Sequence, residues 1–95
     1  MKLIMMYADA NRLDAVRKCL EELNAPGYTV LPVEEGAGKT GVHTGDRVHP
    51  GALALVMIID EDAPATALFE ELARRRETVG DHMSKLFLMP VERSA

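Results

Sequence analysis

The sequence predicts an α+β sandwich of the ferredoxin-like βαββαβ kind, a four-stranded antiparallel sheet with two helices on one face. Three observations predict it. Residues 2–7 and 52–60 are short, almost wholly apolar runs, the pattern of central strands buried on both faces. Each is followed by an amphipathic helical stretch and then by a further β-prone run, so two β-α-β halves of similar length follow one another. They are joined by residues 36–51, G-A-G-K-T-G-V-H-T-G-D-R-V-H-P-G, which hold five of the seven glycines and two of the three histidines.

Taken in order, residues 2–7 form the first strand, and Asp9 or Asn11 offers a side-chain oxygen to cap a helix. In that helix Leu13, Val16, Leu20 and Leu23 recur at three- and four-residue steps and form one apolar stripe. Asn24-Ala25-Pro26-Gly27 ends it, Pro26 because it cannot continue a helix and Gly27 as the turning residue. Residues 28–34 are β-prone, and Pro32 within them marks an edge strand or a bulge. The glycine-rich segment 36–51 is expected to hold neither helix nor regular strand, because each glycine loses much backbone freedom on ordering and packs nothing in return. A long loop in a small domain is usually functional or disordered, and this one reads as the working part. Residues 52–60 give the strongest strand signal of the chain. Asp62 is the expected N-cap of a second helix, with Pro64 tolerated in its first turn and Leu68, Leu72 and Phe69 on its buried stripe. Residues 78–81 read as a turn and 85–91 as the last strand. Both central strands are apolar on both faces, yet helices cover only one, so self-association is expected.

Size and composition bound the function. Ninety-five residues suit one domain, 1–95. A net charge of −4 argues against a nucleic-acid partner. The single cysteine excludes an intramolecular disulfide and suits a reducing cytoplasm, the expected location. The longest apolar run, 52–59, is too short to span a bilayer, and the N-terminus lacks the apolar stretch of a signal peptide. No membrane insertion is expected.

Few motifs carry chemistry. Gly36-Ala37-Gly38-Lys39-Thr40 suggests a phosphate-binding loop, but Val33 stands where a Walker-type loop needs its first glycine, and no helix opens after the lysine. What remains is a set of small residues that lets backbone N–H groups approach an anion, with Lys39 nearby. His43, Asp46 and His49 are the candidate metal ligands, though their spacing is not a compact ligand pattern and no cysteine accompanies them. Cys19 lies beside the first helix stripe and reads as a small buried hydrophobe. No nucleophile–base set or carboxylate pair emerges, so no catalytic residues are assigned and no enzyme is expected.

Several stretches together resemble one family. Leu13-Asp14-Ala15-Val16-Arg17-Lys18-Cys19-Leu20 is similar to the first-helix signature of the P-II nitrogen-regulatory signal proteins. Gly27-Tyr28-Thr29-Val30 and Gly36-Ala37-Gly38 resemble that family's second strand and the base of its T-loop. Val79-Gly80-Asp81 and Lys85-Leu86-Phe87-Leu88-Met89-Pro90-Val91-Glu92 resemble its B-loop and last strand. The resemblance implies a homotrimer that senses a small molecule, with an adenine nucleotide in the cleft between neighbouring subunits. Its flexible T-loop, here 36–51, would control a partner such as a membrane transporter or an enzyme. Carried over by position, Thr29 would lie near the base, and Gly36, Gly38, Gly80 and Lys85 near the phosphates, with Lys39 as a neighbour. The loop is short and lacks the tyrosine that the family's enzymes modify. The family's Gly-Asp-Gly-Lys is here Gly80-Asp81-His82-Met83-Ser84-Lys85, and only Arg93 stands where a phosphate-clamping arginine pair is usual. These departures point away from ATP with 2-oxoglutarate and toward ADP, AMP, another small anion such as bicarbonate, or a metal ion, with no obligatory cofactor.

Three rivals remain. A trimer similar to the CutA divalent-cation-tolerance proteins would use His43, Asp46 and His49. A small ferredoxin-fold enzyme would need a polar group on the sheet face, for which Lys2, Thr29 and Lys85 are the field. A purely structural module would bind nothing.

Overall fold

In chain order the elements are β1 (Lys2–Asp9), a 3-10 turn (Ala10–Arg12), α1 (Leu13–Glu22), β2 (Tyr28–Pro32), β3 (Gly36–Gly38), β4 (Gly41–His43), β5 (Leu53–Asp60), α2 (Asp62–Val79) and β6 (Met83–Pro90). The structure, a computed structural model, describes residues 1–34, 36–38, 41–43, 53–79 and 83–95, with side chains described for 1–34, 53–76 and 85–95. β1, β2, β5 and β6 form one four-stranded sheet in the order β2-β5-β1-β6, every neighbouring pair antiparallel. This is the expected ferredoxin-like sheet, with the two strands read as central from their unbroken apolar runs in the middle. β2, which carries Pro32, is an edge, where a residue without an N–H is tolerated.

Strand alternation divides the side chains between two faces. Ile4, Met6 and Ala8 of β1 and Ala54, Val56 and Ile58 of β5 are buried. The register sets them opposite one another as Ile4 with Ile58, Met6 with Val56 and Ala8 with Ala54. Val16 and Leu20 of α1 and Ala65, Leu68 and Leu72 of α2 are buried too, and most of these residues form one core cluster with the strand residues. Burying a side chain such as Leu72 contributes roughly 1.5–3 kcal/mol, which is what fastens the helices to this face.

The opposite face carries rows of apolar residues with no layer above them among the described residues. One row runs Thr29, Met57, Met5, Phe87 and the next Leu31, Leu55, Tyr7, Lys85. Leu31, Ile59 and Phe87 are 43%, 49% and 45% exposed, high for large apolar side chains in strands.

Local chemistry departs from the expectation at four places. Asp9 does cap, but its carboxylate accepts from the Asn11 N–H (3.0 Å) in the 3-10 turn that precedes α1. At the far end of α1 the left-handed residue is Asn24 (φ 53°), not Gly27. Ala25 N–H donates to Leu20 O (2.9 Å) and Asn24 N–H to Glu21 O (3.1 Å), the paired bonds of a Schellman motif. Asn tolerates this conformation because its short polar side chain eases the Cβ conflict. Asp62 lies inside the first turn of α2 rather than at its cap; Glu61 O accepts the first helical bond, from Ala65 N–H (2.9 Å). The Asp62 carboxylate instead receives the Met1 amine at 2.5 Å, a hydrogen bond that holds it below the usual carboxylate range. Finally, Thr78 and Val79 continue α2 instead of turning.

The glycine-rich segment also departs from the expectation, since β3 and β4 pair antiparallel with Gly36 opposite His43, Ala37 opposite Val42 and Gly38 opposite Gly41. A three-residue ribbon draws on main-chain hydrogen bonds, which glycine supplies as well as any residue.

Candidate functional site

The residues carried over for an effector fall into two groups. The first belongs to β2 and the chain that leaves it. Thr29 is exposed and paired with Met57 of β5. Because Val30 beside it pairs with the buried Val56, alternation turns Thr29 to the face away from the helices. Past Pro32, the Val33 N–H donates to Leu53 O at 3.1 Å. That bond ties the two ends of the glycine-rich segment together at the start of β5 and fixes where the ribbon of Gly36 and Gly38 leaves the sheet. Lys39 lies outside the described residues.

The second group belongs to β6. Lys85 is exposed and pairs with Tyr7 of β1, again on the face away from the helices. The register shifts immediately before it: Tyr7 pairs with Lys85, but Ala8 pairs with Met83, so Ser84 is an extra residue in β6. Such a bulge re-aims the residues around it and is common beside functional sites. Lys85 therefore stands within β6, two residues after its start, rather than in the preceding turn. Gly80 lies outside the described residues. Tyr7, read from the sequence only as part of a strand, is brought beside Lys85 by the pairing, which no local sequence signal announces.

The sheet order puts these groups on opposite edges, β2 and β6, with β5 and β1 between them. Three strand spacings of about 4.8 Å separate the two edges by roughly 14 Å. One chain thus does not gather Thr29 and Lys85 around a single small group. Both face the same apolar surface, Thr29 in the row through the middle of the sheet with Met57 and Met5, and Lys85 one row nearer the end where β1 finishes and β5 and β6 begin.

The remaining candidates are dispersed. His43 ends β4, whereas Asp46 and His49 lie outside the described residues. Among the described residues no three His, Cys, Asp or Glu side chains gather as a metal site. Lys2, named for the enzyme rival, pairs with Asp60 and Pro90 at the other end of the sheet from Lys85. A groove of about 250 Å³ near that end, lined by Leu23, Asn24, Pro26, Asp60, Pro64 and Leu68 among others, includes none of the candidate residues. Cys19, read from the helix stripe as a small buried hydrophobe, is only partly buried and accepts from Arg75 Nη1 at 3.7 Å. Among the described residues no helix is long and apolar enough to cross a membrane.

Comparison with solved structures finds the same fold. CPII, a nitrogen regulatory PII-like protein from Thiomonas intermedia K12 bound to ADP, AMP and bicarbonate, is 18% identical, with 92% of this chain and 81% of that chain covered at a TM-score of 0.67. A second structure of CPII with the same three ligands is 17% identical over 93% of this chain and 88% of that one, with a TM-score of 0.64. CPII bound to ADP and bicarbonate is 18% identical over 92% and 81%, with a TM-score of 0.66. No curated protein matches the chain significantly. The family model described as nitrogen regulatory protein P-II matches residues 1–95. With the match running over the whole sheet, both helices and the glycine-rich segment, the chain belongs to the P-II family of regulatory proteins.

Proposed function

We propose that this protein is a P-II-like regulator, not an enzyme, whose chain acts as one unit in the cytoplasm as a homotrimer. It senses an adenine nucleotide, ADP or AMP, or a small anion such as bicarbonate, at the cleft between subunits. Through the segment 36–51 it then controls a partner such as a membrane transporter. The match of the P-II family over residues 1–95 carries this reading. Three further observations support it. The structures it resembles are of a PII-like protein bound to ADP, AMP and bicarbonate. Lys85 is an exposed cation on a strand edge, suited to a phosphate or carbonate oxygen. The Val33–Leu53 bond clamps the base of the segment that would respond to the ligand.

In this reading Thr29 holds the base, Gly36 and Gly38 let the backbone approach the phosphates, and Lys39, Gly80 and Lys85 complete the phosphate side. A thermal-shift panel of ADP, AMP, ATP, bicarbonate and Zn²⁺ tests it, since a ligand that binds the native state raises the melting temperature by mass action. ADP or AMP is expected to raise it in the wild type, and Lys85→Ala to abolish the nucleotide shift while leaving the unliganded melting temperature within a few degrees. No shift with any nucleotide or with bicarbonate, or a nucleotide shift unchanged in Lys85→Ala, overturns the assignment. A shift with Zn²⁺ alone favours the metal-binding rival.

A further inference from the structure

We propose that the groove between the end of α1 and the start of α2 is a docking site for a lysine or arginine side chain of a partner protein. It stands apart from the effector reading, because none of the effector candidates lines it. The space follows from the elements around it. α1 is ten residues long and ends in the left-handed turn at Asn24, whereas α2 runs for eighteen. From that turn the chain passes through Pro26 toward β2, and α2 meets this exit with Pro64 and Ala67, whose side chains are too short to close the gap. A groove of about 250 Å³ remains. A water's share of liquid volume is about 30 Å³, so the space takes several waters or one long side chain.

The lining is apolar with two acidic points. Leu68 is buried and Leu23 half-buried, so water beside them finds few partners and an aliphatic stem displaces it favourably. Asp60 and Glu71 are the ionisable residues of the lining, and no cation is among them. Asp60 Oδ1 accepts the Glu61 N–H at 2.8 Å, a bond that occupies one of its two oxygens. Glu71 pairs with Arg74 one turn along α2. Lys2 stands opposite Asp60 in the register, yet among the described residues no ion pair joins the two, and Lys2 does not line the groove. A basic side chain suits both parts of this surface, since its methylenes lie along apolar groups while its charge stays near water. An acidic group would be repelled by the carboxylates, and an apolar one would leave them without a partner. Asp60 alternates with the buried Ile58 and so belongs to the helix side of the sheet. Packing of copies through the opposite face therefore leaves the groove open.

Blocked dipeptides titrated into the full chain test this, with binding read from the backbone amide signals in nitrogen–proton NMR spectra. The probes are acetyl-Leu-Lys-amide, acetyl-Leu-Arg-amide, acetyl-Leu-Glu-amide and acetyl-Leu-Leu-amide. The two basic peptides are expected to shift the amides of Leu23, Asn24, Asp60, Ala67 and Leu68 saturably, with dissociation constants on the order of millimolar. Asp60→Asn keeps an oxygen for the Glu61 N–H and removes the charge; Glu71→Gln removes the other. Each should weaken the basic peptides about two- to fivefold, the effect of a partly exposed ion pair. Glu70→Gln makes the same change of net charge at an exposed position outside the groove and should leave binding unchanged. Ala67→Phe fills the groove from an exposed helix position without touching either carboxylate and should abolish the shifts.

Saturable shifts at the groove with the basic peptides alone, weakened by Asp60→Asn and lost in Ala67→Phe, support the proposal. No shift with any peptide overturns it. Equal shifts with the Glu or Leu peptide overturn it too, because the groove would then not select charge. Shifts weakened as much by Glu70→Gln as by Glu71→Gln would reduce the effect to net charge, and shifts that persist in Ala67→Phe would place the binding elsewhere; either result overturns the proposal. All of these outcomes leave the effector reading as it stands.

Discussion

Arg75 reaches from α2 to Glu22 at the end of α1, its Nη1 donating to Glu22 Oε2 at 2.7 Å while lying 3.7 Å from Cys19 Sγ. This is a tie between the two helices at the surface, and it sets a pH dependence. The hydrogen bond from Arg75 holds the Glu22 carboxyl below its ordinary value of 4.5, and the same bond raises the Arg75 guanidinium. A carboxyl lowered by folding contributes stability that is present above its unfolded value and disappears as pH falls through its folded one. Asp62, held down by the Met1 amine, has the same sign. Both groups are exposed, so each contribution is small. Glu22→Gln is expected to melt slightly below wild type at pH 7, and the gap should close in acid, as the pH falls below the ordinary carboxyl value of 4.5 and on through the lowered folded one. Melting curves at a series of pH values check this; a gap that widens in acid would show that the bond carries no such linkage. Neither partner was apparent in the sequence as half of a pair, because 53 residues separate them and only the packing of α2 on the sheet beside α1 brings them together.

Among the elements, those decided by their own residues were legible in the sequence. β1 and β5 show in their unbroken apolar runs, and α1 shows in a stripe whose members Val16 and Leu20 are buried. Features decided by a partner strand or by exact backbone geometry were not. The extra residue at Ser84 exists only relative to β1, and the β3–β4 ribbon only because its two strands meet. The candidate site divides in the same way. Thr29 and Lys85 could be named from the sequence, but their separation to opposite edges follows from strand order alone. The turn after α1 gives a direct check. The reading that made Gly27 the turning residue implies that any side chain there is strained. The structure gives the left-handed conformation to Asn24 and leaves nothing within 4 Å of a Cβ placed on Gly27. Gly27→Ala should therefore stabilise by about 0.4–1 kcal/mol, through the reduced freedom of the unfolded chain. Urea unfolding at one fixed protein concentration measures it, and a loss of more than about 1 kcal/mol would return the turn to Gly27.

At the scale of the whole molecule, the two sides of the sheet have different partners. Ile4, Met6, Val56 and Ile58 are closed off by the helices, while Leu3, Met5, Leu31, Leu55, Met57, Ile59, Phe87 and Met89 alternate with them onto the other side. A continuous apolar surface of this kind is uncommon on a monomer, and in the proposed homotrimer it is what the copies bury against one another. Met57 lies between Thr29 and Met5 in the middle of that surface, so a carboxylate there would have to lose its water on assembly. Met57→Glu should therefore shift the protein from oligomer to single chains. The helix side, from which Met57 points away, should keep its packing and the α+β circular dichroism. Sedimentation velocity and circular dichroism on the same samples decide the matter. A wild type that already sediments as single chains would mean that no surface joins the copies, and a Met57→Glu protein that still assembles like wild type would mean that some other surface joins them. The cleft between subunits proposed for the effector would then lose its basis on this face. If Met57→Glu gives folded single chains, those chains should also fail to bind ADP although Thr29 and Lys85 are unchanged, because the cleft between subunits proposed for the effector would be gone.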